Sequence, residues 1–224
     1  MSNAALQVAR TGLDAQNTKM RVIANNLANV NTTGFKRDRA DFETLAYQNI
    51  VTPGAPSDAQ NRFASGVQLG TGVRLAGIGK IATQGTLQTT ENAMDLAIEG
   101  SGYFQVERPD GSTGYTRAGN FSLTAEGNMV TSDGLPLIPA IQVPQGATAV
   151  TIGNNGVVSA SLSGQSEPSE LGQIELANFT NPAGLLSVGN NILTETAASG
   201  APQVGPGGQE GLGNIRQGAL EGSN

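Results

Sequence analysis

The stretch Val67-Gln68-Leu69-Gly70-Thr71-Gly72-Val73-Arg74-Leu75 sets the period of most of the chain. Val67, Leu69, Thr71, Val73 and Leu75 alternate with Gln68, Gly70, Gly72 and Arg74, the pattern of a half-buried strand. Period two continues downstream. Segments 94–99, 103–107, 113–117, 120–124, 128–131, 137–143, 148–152, 156–162, 171–178 and 191–195 read as further strands. Asp110-Gly111, Glu126-Gly127-Asn128, Asp133-Gly134 and Asn155-Gly156 supply turn chemistry between them. Many short strands at regular spacing predict an antiparallel β domain over 76–198. The Gly/Pro-rich run 199–214 reads as a loop within a return segment, 199–224.

Upstream of the strands the period changes. Residues 3–32, NAALQVARTGLDAQNTKMRVIANNLANVNT, read as one helix. Ser2 or Asn3 can cap its first N–H groups, and Gly34 is a plausible stop. Leu6, Leu13, Met20 and Leu27 are seven apart, and Ala9, Ile23 and Val30 sit three further on. That is an a/d heptad over four repeats, a coiled-coil seam. Such a stripe suits another helix better than a globular core. No later segment shows a comparable pattern. The helix either folds back on its own β body or pairs with another copy, another protein or a further piece of chain. Asn25, Asn26 and Asn29 are poor helix formers on other faces, an arrangement that suits amides bonding across subunits.

The connection 35–75 is mixed and reads as an extended arm ending in the first strand, after a helical segment at 1–34. Phe35-Lys36-Arg37-Asp38-Arg39 reads as a solvated charged stretch, and Thr52-Pro53-Gly54-Ala55-Pro56-Ser57 as turn chemistry. Phe42, Leu45 and Tyr47 fit either a short helix or an arm.

Composition removes most chemistries. The 224 residues contain no Cys, His or Trp, which excludes disulfide frameworks, thiolate metal sites and Ser-His-Asp triads. There are 31 Gly and 10 Pro, and charged residues make up 13%. Gly is about twice its usual share and charge about half. Residues 1–50 carry a net charge of +2 and the remainder −8. An acidic body argues against nucleic acid. No apolar run approaches the roughly 18 residues of a membrane helix, and the N-terminus lacks the apolar core of a secretory leader. Gly72 and Gly77 have P-loop spacing, but Ile78-Gly79 stands where Lys-Ser/Thr is required. Gly100-Ser101-Gly102 precedes a strand, not a helix, so it is no dinucleotide fingerprint. Glu167 and Glu170 flank Pro168 in a loop and read as solvated. No enzyme, cofactor or metal site is expected.

One segment is specific. Ala24-Asn25-Asn26-Leu27-Ala28-Asn29-Val30-Asn31-Thr32-Thr33-Gly34-Phe35-Lys36 resembles the N-terminal signature of the bacterial flagellar rod and hook axial proteins. Thr11-Gly12-Leu13-Asp14-Ala15-Gln16, Ser65-Gly66-Val67-Gln68-Leu69-Gly70-Thr71-Gly72-Val73, Asp95-Leu96-Ala97-Ile98-Glu99-Gly100-Ser101-Gly102-Tyr103-Phe104 and Tyr115-Thr116-Arg117-Ala118-Gly119-Asn120-Phe121 are similar to the distal-rod branch. The resemblance runs from about residue 4 to 224 and implies a mainly β fold with an N-terminal helix. It also implies a structural subunit, exported unfolded without a cleavable signal peptide and assembled helically into a hollow, torque-transmitting rod across the periplasm. Its partners would be other copies of itself, proximal rod and hook proteins, the basal-body ring proteins and the export apparatus.

In that family the N-terminal helix pairs with a C-terminal helix beyond the stretch matching Gly218–Asn224; the present sequence stops at Asn224, so truncation is expected. The candidate assembly residues are Leu6, Leu13, Met20, Ile23, Leu27 and Val30, with Asn25, Asn26, Asn29, Thr33, Gly34 and Phe35 of the signature as intersubunit contacts. Within the family, a proximal rod or hook subunit is the alternative. Outside it the alternatives are a carbohydrate-binding β module, needing an aromatic platform from Tyr103, Phe104, Tyr115 and Phe121, and a peptidoglycan hydrolase, needing a carboxylate pair in a cleft.

Overall fold

The computed structural model describes residues 2–58, 60–164 and 167–224. They form two compact units: the segment up to Leu27 with Asp38–Gly79, and Ala28–Arg37 with Lys80–Asn224. The chain is mainly β, with antiparallel strand pairs and one N-terminal helix.

The first unit contains helix α1, Ser2–Ala28. The helix stops four residues short of the expected end. Asn29–Gly34 turns instead, with Gly34 in the left-handed region at φ 68°. The Asn- and Thr-rich signature favours a turn over helix; there the Thr32 N–H donates to the Asn29 carbonyl at 3.0 Å and the Thr32 hydroxyl to Asn29 Oδ1 at 3.1 Å. Val30 therefore leaves the helix. The Ser2 capping side chain lies outside the described residues.

The strand expected over 67–75 is split. Val67–Gly70 pairs with Tyr47–Val51 as an antiparallel hairpin, and Val73–Lys80 pairs with Asp38–Thr44. Gly72, at φ 120°, makes the break. The alternating apolar residues are not half-buried as their period implied: Val67, Leu69 and Leu75 stay exposed, beside Tyr47, Ile50 and Phe63. The undecided segment around Phe42 and Tyr47 is strand, not helix.

The second unit carries the core. Its largest sheet has seven strands. Six run in the order Leu186–Gly189, Ile192–Thr194, Thr113–Thr116, Tyr103–Glu107, Glu175–Asn178 and Gln203–Pro206, and Leu137–Ile138 also pairs with Tyr103–Glu107. A three-stranded sheet joins Ala147–Ile152, Val157–Leu162 and Ser169–Gln173. Short two-stranded pairs join Leu96–Glu99 with Asn214–Gln217, Leu87–Thr89 with Ala219–Glu221, and Ser122–Leu123 with Met129–Val130.

Alternation along Tyr103–Glu107 explains its place at the centre of the large sheet. Phe104 and Val106 enter a cluster with Leu96, Ile98, Phe121 and Leu176. Tyr103 points the other way, into a cluster with Tyr115, Phe179 and Leu193. Both faces of the strand are therefore covered. Tyr103, Phe104, Tyr115 and Phe121 are all buried. They cannot form the exposed platform that the carbohydrate-module reading required. Gln203–Pro206, inside the run read as loop, is an edge strand; Pro is tolerated there because an edge needs no further donor.

Gly119 shows why the Arg117-Ala118-Gly119-Asn120 turn is glycine-dependent. Its carbonyl accepts the Leu96 N–H at 2.9 Å, and a Cβ at this position would collide with the Leu96 carbonyl oxygen. Gly119→Ala should lower the unfolding free energy of the second unit by about 3 kcal/mol, the scale of forced overpacking. Urea unfolding followed by near-UV circular dichroism measures this.

Candidate assembly face and its anchor

α1 has two unlike sides. Thr11, Ala15, Thr18, Val22 and Asn26 are half-covered. At about 100° per residue they share one face. Asn26 accounts for much of the attachment: its amide accepts the Asp38 N–H and donates to the Asp38 carbonyl, both at 2.9 Å. Thr11 comes close enough to Gly72 that a Cβ on Gly72 would strike its hydroxyl. Val73 N–H also points at Thr11 Oγ1, at 3.4 Å.

The heptad residues lie on the opposite side. Leu6, Leu13, Met20, Ile23 and Leu27 are between 55% and 71% exposed, and Val30 beyond the helix end is 55% exposed. The helix thus meets its own strands with small and polar residues and leaves its apolar seam uncovered. The first turn holds no acidic residue and the last no basic one, so nothing offsets the helix dipole locally.

The signature residues after the helix serve a different purpose. Phe35 and Lys36, read as part of a solvated stretch, are buried. Lys36 Nζ donates to Glu221 Oε1 at 2.6 Å and to the Thr83 carbonyl at 2.8 Å. Glu221 is fully buried; its Oε2 accepts from Arg117 Nη1 at 3.1 Å, and Oε1 also accepts the Gly85 N–H at 2.8 Å. The Glu221 backbone carbonyl accepts the Gly34 N–H at 2.7 Å. Gly34 is required there twice over: its φ is left-handed, and a Cβ would strike the Arg117 backbone.

Arg117 completes the cluster. Nη2 donates to the Gly100 carbonyl at 2.6 Å, and the guanidinium lies 5.4 Å from the centre of the Tyr103 ring. Asn191 donates from its side-chain amide to the Thr33 carbonyl at 2.7 Å. Asn190 and Asn191 both have positive φ, at 49° and 57°, in the tight hairpin between Leu186–Gly189 and Ile192–Thr194. Asn tolerates that conformation.

Of the intersubunit candidates, the structure engages Asn26 through Asp38, Asn29 through Thr32, and Thr33 and Gly34 within the anchor. Phe35 is buried with Lys80 Nζ 5.7 Å from its ring centre. Asn25 lies on α1, in the last two turns. Sequence reasoning missed Glu221, Arg117 and Asn191. Among the described residues, no three acidic side chains gather as a metal site, and no helix is long and apolar enough to cross a membrane.

A mainly β chain whose N-terminal helix carries an uncovered apolar seam, and which gathers no metal-binding cluster among its described residues, has the parts of a structural subunit. The comparisons say of which kind. Residues 6–36 match the family model described as flagella basal body rod protein, and 97–160 match the flagellar hook protein FlgE/F/G D1 domain. The flagellar basal-body rod protein FlgG of Buchnera aphidicola subsp. Acyrthosiphon pisum is 48% identical over 98% of this chain and 85% of its own length. That of Caulobacter vibrioides is 46% identical over 98% of this chain and 84% of its own. The flagellar hook protein FlgE of Borreliella burgdorferi is 38% identical over only 54% of this chain and 27% of its own. The chain belongs to the flagellar basal-body rod protein family and is a structural rod subunit.

Two outcomes check the anchor. Glu221→Ala leaves two cations in a buried site and should cost about 3–5 kcal/mol in urea unfolding. Burial holds the Lys36 ammonium below its ordinary value of 10.5, against the pull of Glu221 and with the repulsion of Arg117. Between that lowered value and the ordinary 10.5, the unfolded chain binds the extra Lys36 proton. Lys36 therefore makes stability rise with pH in that window. Burial raises the Tyr103 phenol, which opposes the rise where the unfolded phenol titrates, around 10.0. Lys36→Met should flatten the slope of the urea midpoint against pH.

Proposed function

We propose that this chain is a distal-rod subunit, building a rigid, helically repeating hollow shaft with copies of itself and turning inside the basal body. The observation that carries the reading is the open seam of Leu6, Leu13, Met20, Ile23 and Leu27 on the side of α1 away from its own strands. Covering each such side chain is worth roughly 1.5–3 kcal/mol, so five in register supply a strong association. Heterologous contacts that repeat without closing then give a filament. The seam is covered by other helices of the tube wall, the C-terminal helix that the resemblance implies among them.

Proximal rod and hook proteins are the neighbours along the axis, the ring proteins surround the shaft, and the export apparatus delivers the subunits. No turnover of a substrate enters this account. Likeness to rod proteins over nearly the whole chain, against likeness to a hook protein over 54% of it, favours rod over hook.

Leu13→Asp or Leu27→Asp, placed in the chromosomal gene, should abolish rod completion and swimming, because each buries an unpaired charge in every repeat of the seam. In the purified chain the same changes sit on an exposed face and should alter β-unit stability by no more than about 0.5 kcal/mol. Electron microscopy of basal bodies and soft-agar motility read the first effect. Normal rods from either variant would sink the seam assignment.

A further inference from the structure

We propose that the Lys36–Glu221–Arg117 cluster is a joint that makes segments 34–37, 81–91 and 217–224 open and close as one cooperative unit. On the rod-subunit reading, load borne by any of these segments is met at one carboxylate; the cooperativity itself does not rest on that reading.

The three segments are far apart in sequence, yet none can leave alone. Lys36 is 185 residues from Glu221, Gly85 is 136 and Arg117 is 104. Loss of segment 219–224 would strand Lys36 and Arg117 as two like charges in a buried site. Loss of segment 34–37 would remove a cation from Glu221 and the Gly34 donor from its carbonyl. A buried charge left without its partner is strongly penalised, so partial opening costs more than opening everything together.

Neutral bonds follow the same three-way pattern. Asn224 Nδ2 donates to the Ile81 carbonyl at 2.7 Å and the Thr83 carbonyl at 3.0 Å, while its Oδ1 accepts the Arg37 N–H at 2.9 Å. The Ile81 N–H donates back to the Arg37 carbonyl, and the Gly222 N–H to the Thr86 carbonyl. The pair Leu87–Thr89 with Ala219–Glu221 is only three residues long on each side. A two-stranded pair of that length has no independent stability. It stands because the joint is shut.

Backbone hydrogen exchange on the full chain tests this. The Gly34, Ile81, Gly85 and Gly222 amides should share one opening constant. Glu221→Gln, which keeps the shape and removes the charge, should speed all four by a common factor of at least about a hundredfold. Leu96 and Met129, whose amides bond to Gly119 and Ile141, should be unchanged. Four unrelated constants in the parent chain, or a response at Gly85 alone, overturn the joint. If Glu221→Gln does not fold, Asn224→Ala serves, since it leaves the ion cluster intact. It should speed the same four amides by a smaller common factor, and an effect confined to Arg37 and Ile81 overturns the proposal. A shared constant in a chain that builds no rods would keep the joint and remove the rod reading.

Discussion

Glu221 brings one negative charge into a site closed to solvent and meets two cations there, Lys36 from the root of the N-terminal helix and Arg117 from the β unit. In such a place the desolvation penalty rivals the Coulombic attraction, so the cluster adds little net stability when complete. Its effect is on specificity. An arrangement lacking any one member is heavily penalised, so the chain has one way to bring segments 34–37, 85 and 219–221 together. The backbone follows the charges: the Gly34 N–H reaches the Glu221 carbonyl, and Gly34 itself is pressed against Arg117 too closely for any side chain.

In the first unit α1 turns the face of Thr11, Ala15, Thr18, Val22 and Asn26 to the neighbouring strands, where Asn26 grips both backbone groups of Asp38. Its five large apolar seam residues stay exposed among the described residues. The buried aromatic pairs in the β unit, such as Phe104 against Phe121 at 5.1 Å, serve packing rather than recognition.

Local pattern made the β class, the helix and the seam readable, because strand and helix periods are written in neighbouring residues. Tyr103–Glu107 and Ala147–Ile152 lie close to where alternation placed them. The misreadings share a cause. Lys36 looks solvated beside Arg37, Asp38 and Arg39, and only a carboxylate 185 residues away makes it buried. Gln203–Pro206 sits in a Gly/Pro-rich run and becomes a strand because Glu175–Asn178 offers it an edge. Val67 and Leu69 alternate correctly but find nothing within their own unit to cover them. Gly34 is legible as part of a signature, not as an anchor, since the carbonyl it donates to belongs to the distant Glu221.

The most direct test is a side-chain-resolution electron cryomicroscopy map of rods assembled from the native protein. The account predicts Leu6, Leu13, Met20, Ile23 and Leu27 buried against other helices of the rod, with Lys36, Arg117 and Glu221 still in contact in every copy. A map in which those five residues face solvent or the lumen, or in which Glu221 has parted from both cations, would contradict it.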